Sequence, residues 1–141
     1  MSMPAQPAGM ALYRVLIGLA ALGIVLQGAW AGMFIRPGQA NDGTWVTVHA
    51  RGAEVTIACA LAAAAVVFWR LRARRDLLLG TGALVVLLAV QAFIGGLVYD
   101  HQGLTAVHIP LAIALMGLAV WLPLRSHRRL PAEDPVGVAR R

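Results

Sequence analysis

Four apolar runs take up most of this chain: Ala11 to Ile35, Val46 to Trp69, Leu77 to Tyr99 and Leu104 to Leu124. Each is close to the ~20 residues that a helix needs to cross the hydrocarbon core of a bilayer. In lipid the backbone must satisfy its own hydrogen bonds, which leaves helices as the economical outcome for runs of this length. The expected fold is therefore all-α, an integral membrane four-helix bundle, multi-pass in the cell membrane. Composition agrees, with 60% hydrophobic and 13% charged residues, far from the balance of a soluble domain. The chain divides into an N-terminal segment (1–10), the four-helix domain (11–125) and a basic tail (126–141). Residues 1–9 and the tail with Pro131 and Pro135 are expected to be poorly ordered.

The bundle reads as two repeated helix pairs. Setting Gln27-Gly28-Ala29-Trp30-Ala31-Gly32-Met33-Phe34 over Gln91-Ala92-Phe93-Ile94-Gly95-Gly96-Leu97-Val98 matches Gln27 with Gln91 and Gly32 with Gly96 without a gap. After a short polar stretch each copy opens its second helix with the same dipeptide, Val48-His49 and Val107-His108. Internal symmetry of this kind places paired sites at the repeat interface. The repeat also bears on the first run. Ala29-Trp30-Ala31 has the small-x-small form of a signal-peptide cleavage site, but a segment whose Gln and Gly recur in the third run reads as retained structure.

All 12 basic residues are arginine, and their placement sets the orientation. Arg70, Arg72, Arg74 and Arg75 crowd the connection between runs two and three. Arg125, Arg128, Arg129, Arg140 and Arg141 follow run four. By the positive-inside rule both termini and the middle loop are cytoplasmic, and the loops from Arg36 to Thr47 and from Asp100 to Gly103 face outward. The +6 net charge is thus spent on topology and on anionic lipid headgroups. Membrane lipid is an expected partner, and nucleic acid is not.

This orientation sets the height of the two histidines. At 1.5 Å per residue, His49 stands about 31 Å from Arg70 and His108 about 25 Å from Arg125, so both imidazoles lie near the outer face. They come from helices running in the same direction. A plate-like ligand gripped from both sides fits that arrangement, and haem is the natural choice, because neutral imidazole is a common axial ligand and bundle cores build such sites from facing helices. The face bearing His49 continues through Gly52, Ala53, Thr56, Ala60 and Ala63, and that bearing His108 through Leu111, Ala112, Leu115 and Ala119. Small residues leave room for a flat ring. They are also what membrane helices use for close packing, as in Gly28-x-x-x-Gly32. A lone histidine at an interface is ordinarily a hydrogen-bonded residue; two at matched repeat positions point to a shared ligand.

Other polar residues fall into place around this pair. Glu54 can pair with Arg51 one turn away, lowering the cost of keeping either in lipid. It is turned about 140° from His49 around the helix, which argues against direct service to the iron. The functional alternative is a proton relay to a haem propionate or to a quinone, with Arg51 or Arg36 anchoring the propionates. Gln27 and Gln91 read as interhelical hydrogen-bonding groups or contacts to a ring substituent. His101 lies in the short outer loop and His127 in the arginine-rich tail, without assigned chemistry. Cys59 is the single cysteine, so neither a disulfide within the chain nor a CxxCH haem attachment exists, and any haem is held non-covalently. Pro110 either starts run four or kinks it.

The stretch from Gln91 to Val98, a short loop and then Val107-His108 opening an apolar helix resembles one four-helix half of haem A synthase, over about residues 15–125. It is equally similar to small four-helix membrane proteins of unassigned function. The resemblance implies haem held between His49 and His108 as axial ligands, with Gln27 and Gln91 on the glutamines preceding the glycine pairs. Two departures stand out. The acidic residue that the family carries about one turn before its first histidine is replaced here by Trp45, Val46 and Thr47, and arginine comes two positions after His49, at Arg51, rather than directly after it.

Three functions are open to such a chain. The first is a membrane b-type haem protein with a bis-histidine site near the outer face, serving electron transfer or redox sensing, with His49 and His108 on the iron and Arg51, Gln27 and Gln91 around the ring. Absence of the acid favours this non-enzymatic reading. The second is a half-size haem-modifying enzyme acting as a homodimer. The third is a cofactor-free accessory subunit of a larger respiratory membrane complex.

Overall fold

The computed structural model describes residues 9–35 and 43–128. The chain forms four long helices: α1 (Met10–Phe34), α2 (Thr44–Arg70), α3 (Arg75–Leu97) and α4 (Thr105–His127). A single 3-10 turn, Gln102–Leu104, leads into α4. All four are long and apolar enough to cross a bilayer, and their ends lie within a few residues of the apolar runs. The boundaries have local causes. Gly43 takes a positive φ of 78° ahead of α2, a conformation glycine adopts without Cβ strain. A tight connection at the other end of α2 closes with Arg74 donating its N–H to the Leu71 carbonyl at 2.8 Å.

Consecutive helices run antiparallel, each packed on its neighbours in the ring α1–α2–α3–α4, which sets α2 and α4 diagonally opposite and parallel. Across the other diagonal, the Tyr13 hydroxyl and Thr81 Oγ1 meet at 3.0 Å in the buried interior. Pro110 lies inside α4, as does Pro123, so of the two roles open to Pro110 the structure gives the interior one. Its missing N–H withdraws the donor that would meet the Ala106 carbonyl, weakening the ladder just past His108.

Packing is uneven along the bundle axis. Buried residues come from Met10 to Ile24, Thr56 to Leu88 and Leu115 to Ser126, the end where the arginines cluster. At the opposite end, which carries both histidines, none of residues 25–35, 43–55 or 89–114 is buried. The inward faces expected on α2 and α4 are the ones found, with Thr56, Ala60, Ala63, Leu115 and Ala119 all buried. The glycines behave differently from expectation. A Cβ on Gly28, Gly32 or Gly96 would meet nothing within 4 Å, so Gly28-x-x-x-Gly32 is no helix contact. Close approach falls instead at Gly23 against Thr56, Gly52 against Trp30, Gly80 against Leu122 and Gly95 against His108. A glycine pair in sequence marks a groove on one helix, and which neighbour fills it depends on the rotation of that helix in the bundle.

The arginine end is tied by polar contacts. Arg74 pairs with both carboxylate oxygens of Asp76, at 3.0 and 2.9 Å. Arg125 reaches Asp76 Oδ2 at 2.9 Å, and Arg74 also donates to the Arg125 carbonyl. Arg14 on α1 donates to the Ser126 hydroxyl and carbonyl on α4. Three helices and the α2–α3 connection are thereby joined at one level.

Candidate functional site

At the loosely packed end the structure forms two Gln–His pairs, Gln27 with His49 between α1 and α2 and Gln91 with His108 between α3 and α4. His49 points its Nδ1 at the backbone carbonyl oxygen of Gln27, 3.2 Å away, and its ring meets the Phe34 ring edge-on at a centroid distance of 5.5 Å. A carbonyl oxygen only accepts, so Nδ1 carries the proton and Nε2 keeps its lone pair. On the facing pair of helices the Gln91 side-chain amide donates to the His108 carbonyl at 3.0 Å and to His108 Nε2 at 3.2 Å. The amide is oriented by the carbonyl, so His108 Nε2 is also the acceptor and its proton sits on Nδ1. Both imidazoles thus adopt the tautomer whose Nε2 is the basic nitrogen.

Gln27 and Gln91 therefore each engage the histidine of the following helix, through different atoms. Gln27 uses its main chain and Gln91 its side chain. The Gln27 side chain lies against Gly52, where an added Cβ would come within 2.7 Å of Nε2. Gly52 thus makes room for α1 rather than for a ligand. Gly95 does the same beneath the His108 ring, with Cε1 only 2.9 Å from where a Cβ would stand.

The hydrogen-bond census concentrates on the same residues. Among the described residues, the buried side-chain nitrogens and oxygens without a partner are Gln27 Nε2, Gln27 Oε1, Gln91 Oε1 and His108 Nδ1. Buried polar atoms are nearly always satisfied, because each costs about 1–3 kcal/mol when it is not. All four belong to the residues that the repeat selects. That donor set suits a flat ring with a metal at its centre and polar substituents at its edge: two neutral imidazoles on parallel helices, flanked by amides with spare donors and acceptors. Among the described residues no group of three or more His, Cys, Asp or Glu could hold a metal ion.

The remaining residues lie elsewhere. Arg51 is largely exposed and forms a bidentate pair with Glu54, at 3.0 and 2.8 Å. That is the structural pairing expected of Glu54, and it leaves Arg51 occupied on the outside of α2. Arg36, the other arginine considered for propionates, is outside the described residues, as are residues 1–8 and most of the tail. His101 is exposed between α3 and α4, and His127 closes α4. Cys59 is a free thiol that helps line an open apolar groove of about 510 Å³ between α1 and α2, with Leu22, Leu26, Trp30 and Val55. Neither histidine lines that groove. The Asp76 clamp and the Tyr13–Thr81 contact carried no signal in the sequence beyond polar residues near the ends of apolar runs.

Compared with known proteins, the chain matches no family model, no curated protein and no solved structure.

Proposed function

We propose that the chain is a multi-pass membrane protein, built from two repeated helix pairs, that binds one haem b non-covalently at the histidine end of the bundle and serves electron transfer or redox sensing. Insertion in a bilayer is supported by the outward faces, which carry Leu12, Leu19, Leu22, Leu79, Phe93 and Ile113 well exposed, a surface too apolar for water. With the arginine end cytoplasmic, the histidines stand near the outer face.

The observation that supports the haem reading is that every unpartnered buried side-chain polar atom among the described residues lies on Gln27, Gln91 or His108, the first beside His49 and the other two beside each other. His49 and His108 would hold the iron, each through Nε2, His108 giving up the Gln91 N–H to do so. Gln27 holds the His49 ring in the right tautomer and orientation by accepting from Nδ1, a contact that also raises the basicity of the ligating nitrogen. Bound haem supplies a reversible one-electron change at iron. Catalytic modification of the ring is disfavoured, since the carboxylate nearest in sequence, Glu54, is tied to Arg51 on the outside of α2.

An absorption spectrum of purified full-length protein, expressed with ample haem, tests this reading. Low-spin haem bands are expected in the reduced form, abolished by His49→Ala and by His108→Ala and kept by His101→Ala. Wild-type protein without haem bands would sink the proposal.

A further inference from the structure

Arg51 and Glu54 stand where charge is hardest to keep. Among the described residues every other charged side chain lies at or near a helix end or in a connection. These two lie about 9 and 5 Å from the midpoint of α2, at 1.5 Å of rise per residue. Charged side chains at such depth almost always face a bundle interior or a water-filled cavity, because lipid tails do not solvate them. Here both point outward, with side chains 74% and 63% exposed. Their mutual pairing is also incomplete. Both hydrogen bonds come from Arg51 Nη1, which leaves Nη2 and Nε as donors without a partner among the described residues. Each Glu54 oxygen likewise keeps a lone pair to spare.

Resting on the bilayer reading above, and independent of haem, we propose that this face of α2 is the interface of a parallel homodimer whose two-fold axis runs along the membrane normal. The pair carries no net charge, so its partner must offer a cation and an anion together at the same depth. A second copy in the same orientation does so by symmetry. Arg51 Nη2 donates to the partner's Glu54, and the partner's Arg51 donates to Glu54 in return, the reciprocity of an isologous contact. Ala50 and Ala58, one turn to either side of Glu54 on the same face, are exposed and too small to keep two α2 helices apart. The apolar groove that Arg51 borders, with Leu22, Leu26 and Val55, receives the side chains that flank the contact.

The test weighs full-length protein in mild detergent by light scattering and follows self-association by energy transfer between labelled copies in phosphatidylcholine vesicles. Wild type is expected at twice the 14.9 kDa chain mass. Glu54→Gln removes the anion from both halves of the contact and should weaken association by about tenfold or more, the worth of a charge-assisted hydrogen bond. Ala58→Trp holds even where that variant folds poorly. Its position is exposed in the single chain, so the thermal midpoint of the monomer should stay while the dimer is lost. Ile113→Trp, exposed on α4 across the bundle, should remain dimeric. A monomeric wild type, an oligomer larger than two, or a dimer unchanged by Glu54→Gln or by Ala58→Trp would overturn the interface; a monomer that retains phospholipid would give the face to lipid instead. The bilayer reading survives all of these, and fails only if the protein stays in solution without detergent.

Discussion

At the scale of single residues, the glycines give the sharpest contrast. A Cβ on Gly52 would run into the Trp30 ring and come within 2.7 Å of Gln27 Nε2, whereas on Gly32 it would meet nothing within 4 Å. Gly52→Val is therefore expected to push α1 and α2 apart and lower the thermal midpoint in detergent, with overpacking costs of about 1–3 kcal/mol. Gly32→Ala should leave the midpoint unchanged or raise it, since alanine gains up to about 1 kcal/mol of helix propensity. Differential scanning fluorimetry on the two variants checks both; equal losses would show that the contacts of Gly52 are not the tighter ones. The residues at stake were unequally legible. The sequence match pairs Gln27 with Gln91 and His49 with His108, and the structure sets each glutamine beside the histidine of the following helix. The contact glycines could not be told from the others, because Gly32 and Gly52 differ only in which neighbour the bundle turns toward them. The different holds on the two histidines were hidden for the same reason: the repeat equates Gln27 with Gln91, and only the packing makes one act through its carbonyl and the other through its amide.

Whole elements are fixed to one another mainly at the arginine end. Asp76 opens α3 and faces Arg74 from the preceding connection and Arg125 from the last turn of α4, with Arg74 nearly buried and Asp76 only 18% exposed. Exposed ion pairs contribute little, and Arg125 at 35% exposure is screened by solvent, but removing the carboxylate from the nearly buried Arg74 leaves a charge unmatched. Asp76→Asn is expected to cost on the order of 2 kcal/mol, read as a lower midpoint and as faster cleavage in the α2–α3 connection by a trypsin-like protease. Tyr13→Phe, which removes the hydroxyl facing Thr81, should cost about 1 kcal/mol, because Thr81 is left buried without that contact. A midpoint for Asp76→Asn no lower than that of Tyr13→Phe would mean that the clamp is solvated and slack. The helices themselves were plain in the sequence, since length and apolarity decide them. The clamp was not, because the arginines read as a topology signal and nothing in the chain order says that Arg74 and Arg125 share one carboxylate.

For the molecule as a whole, the decisive property is its division into a packed end and an open one. Tyr13, Ile17, Leu77, Leu84, Leu115 and Leu122 fill the arginine end completely, while the histidine end has no buried residue from any of its four helix segments. Regions with few buried apolar contacts open at lower free energy than the core they adjoin, and ligand-binding segments are drawn from them. A ligand that binds only the assembled state adds RT ln(1 + [L]/Kd), about 2.7 kcal/mol at a hundredfold excess over Kd, and it adds this where it touches. Hydrogen exchange in detergent should therefore be biphasic along each helix. In haem-free protein, amides of residues 44–55 and 105–114 should exchange well before those of 56–70 and 115–127. On haem loading the slow set should change little. The fast set should slow by up to about a hundredfold, the factor set by that binding term, most of all around His49 and His108. Uniform slowing along all four helices would instead mean that the histidine end is no weaker than the rest, and that the open packing there has no part in binding.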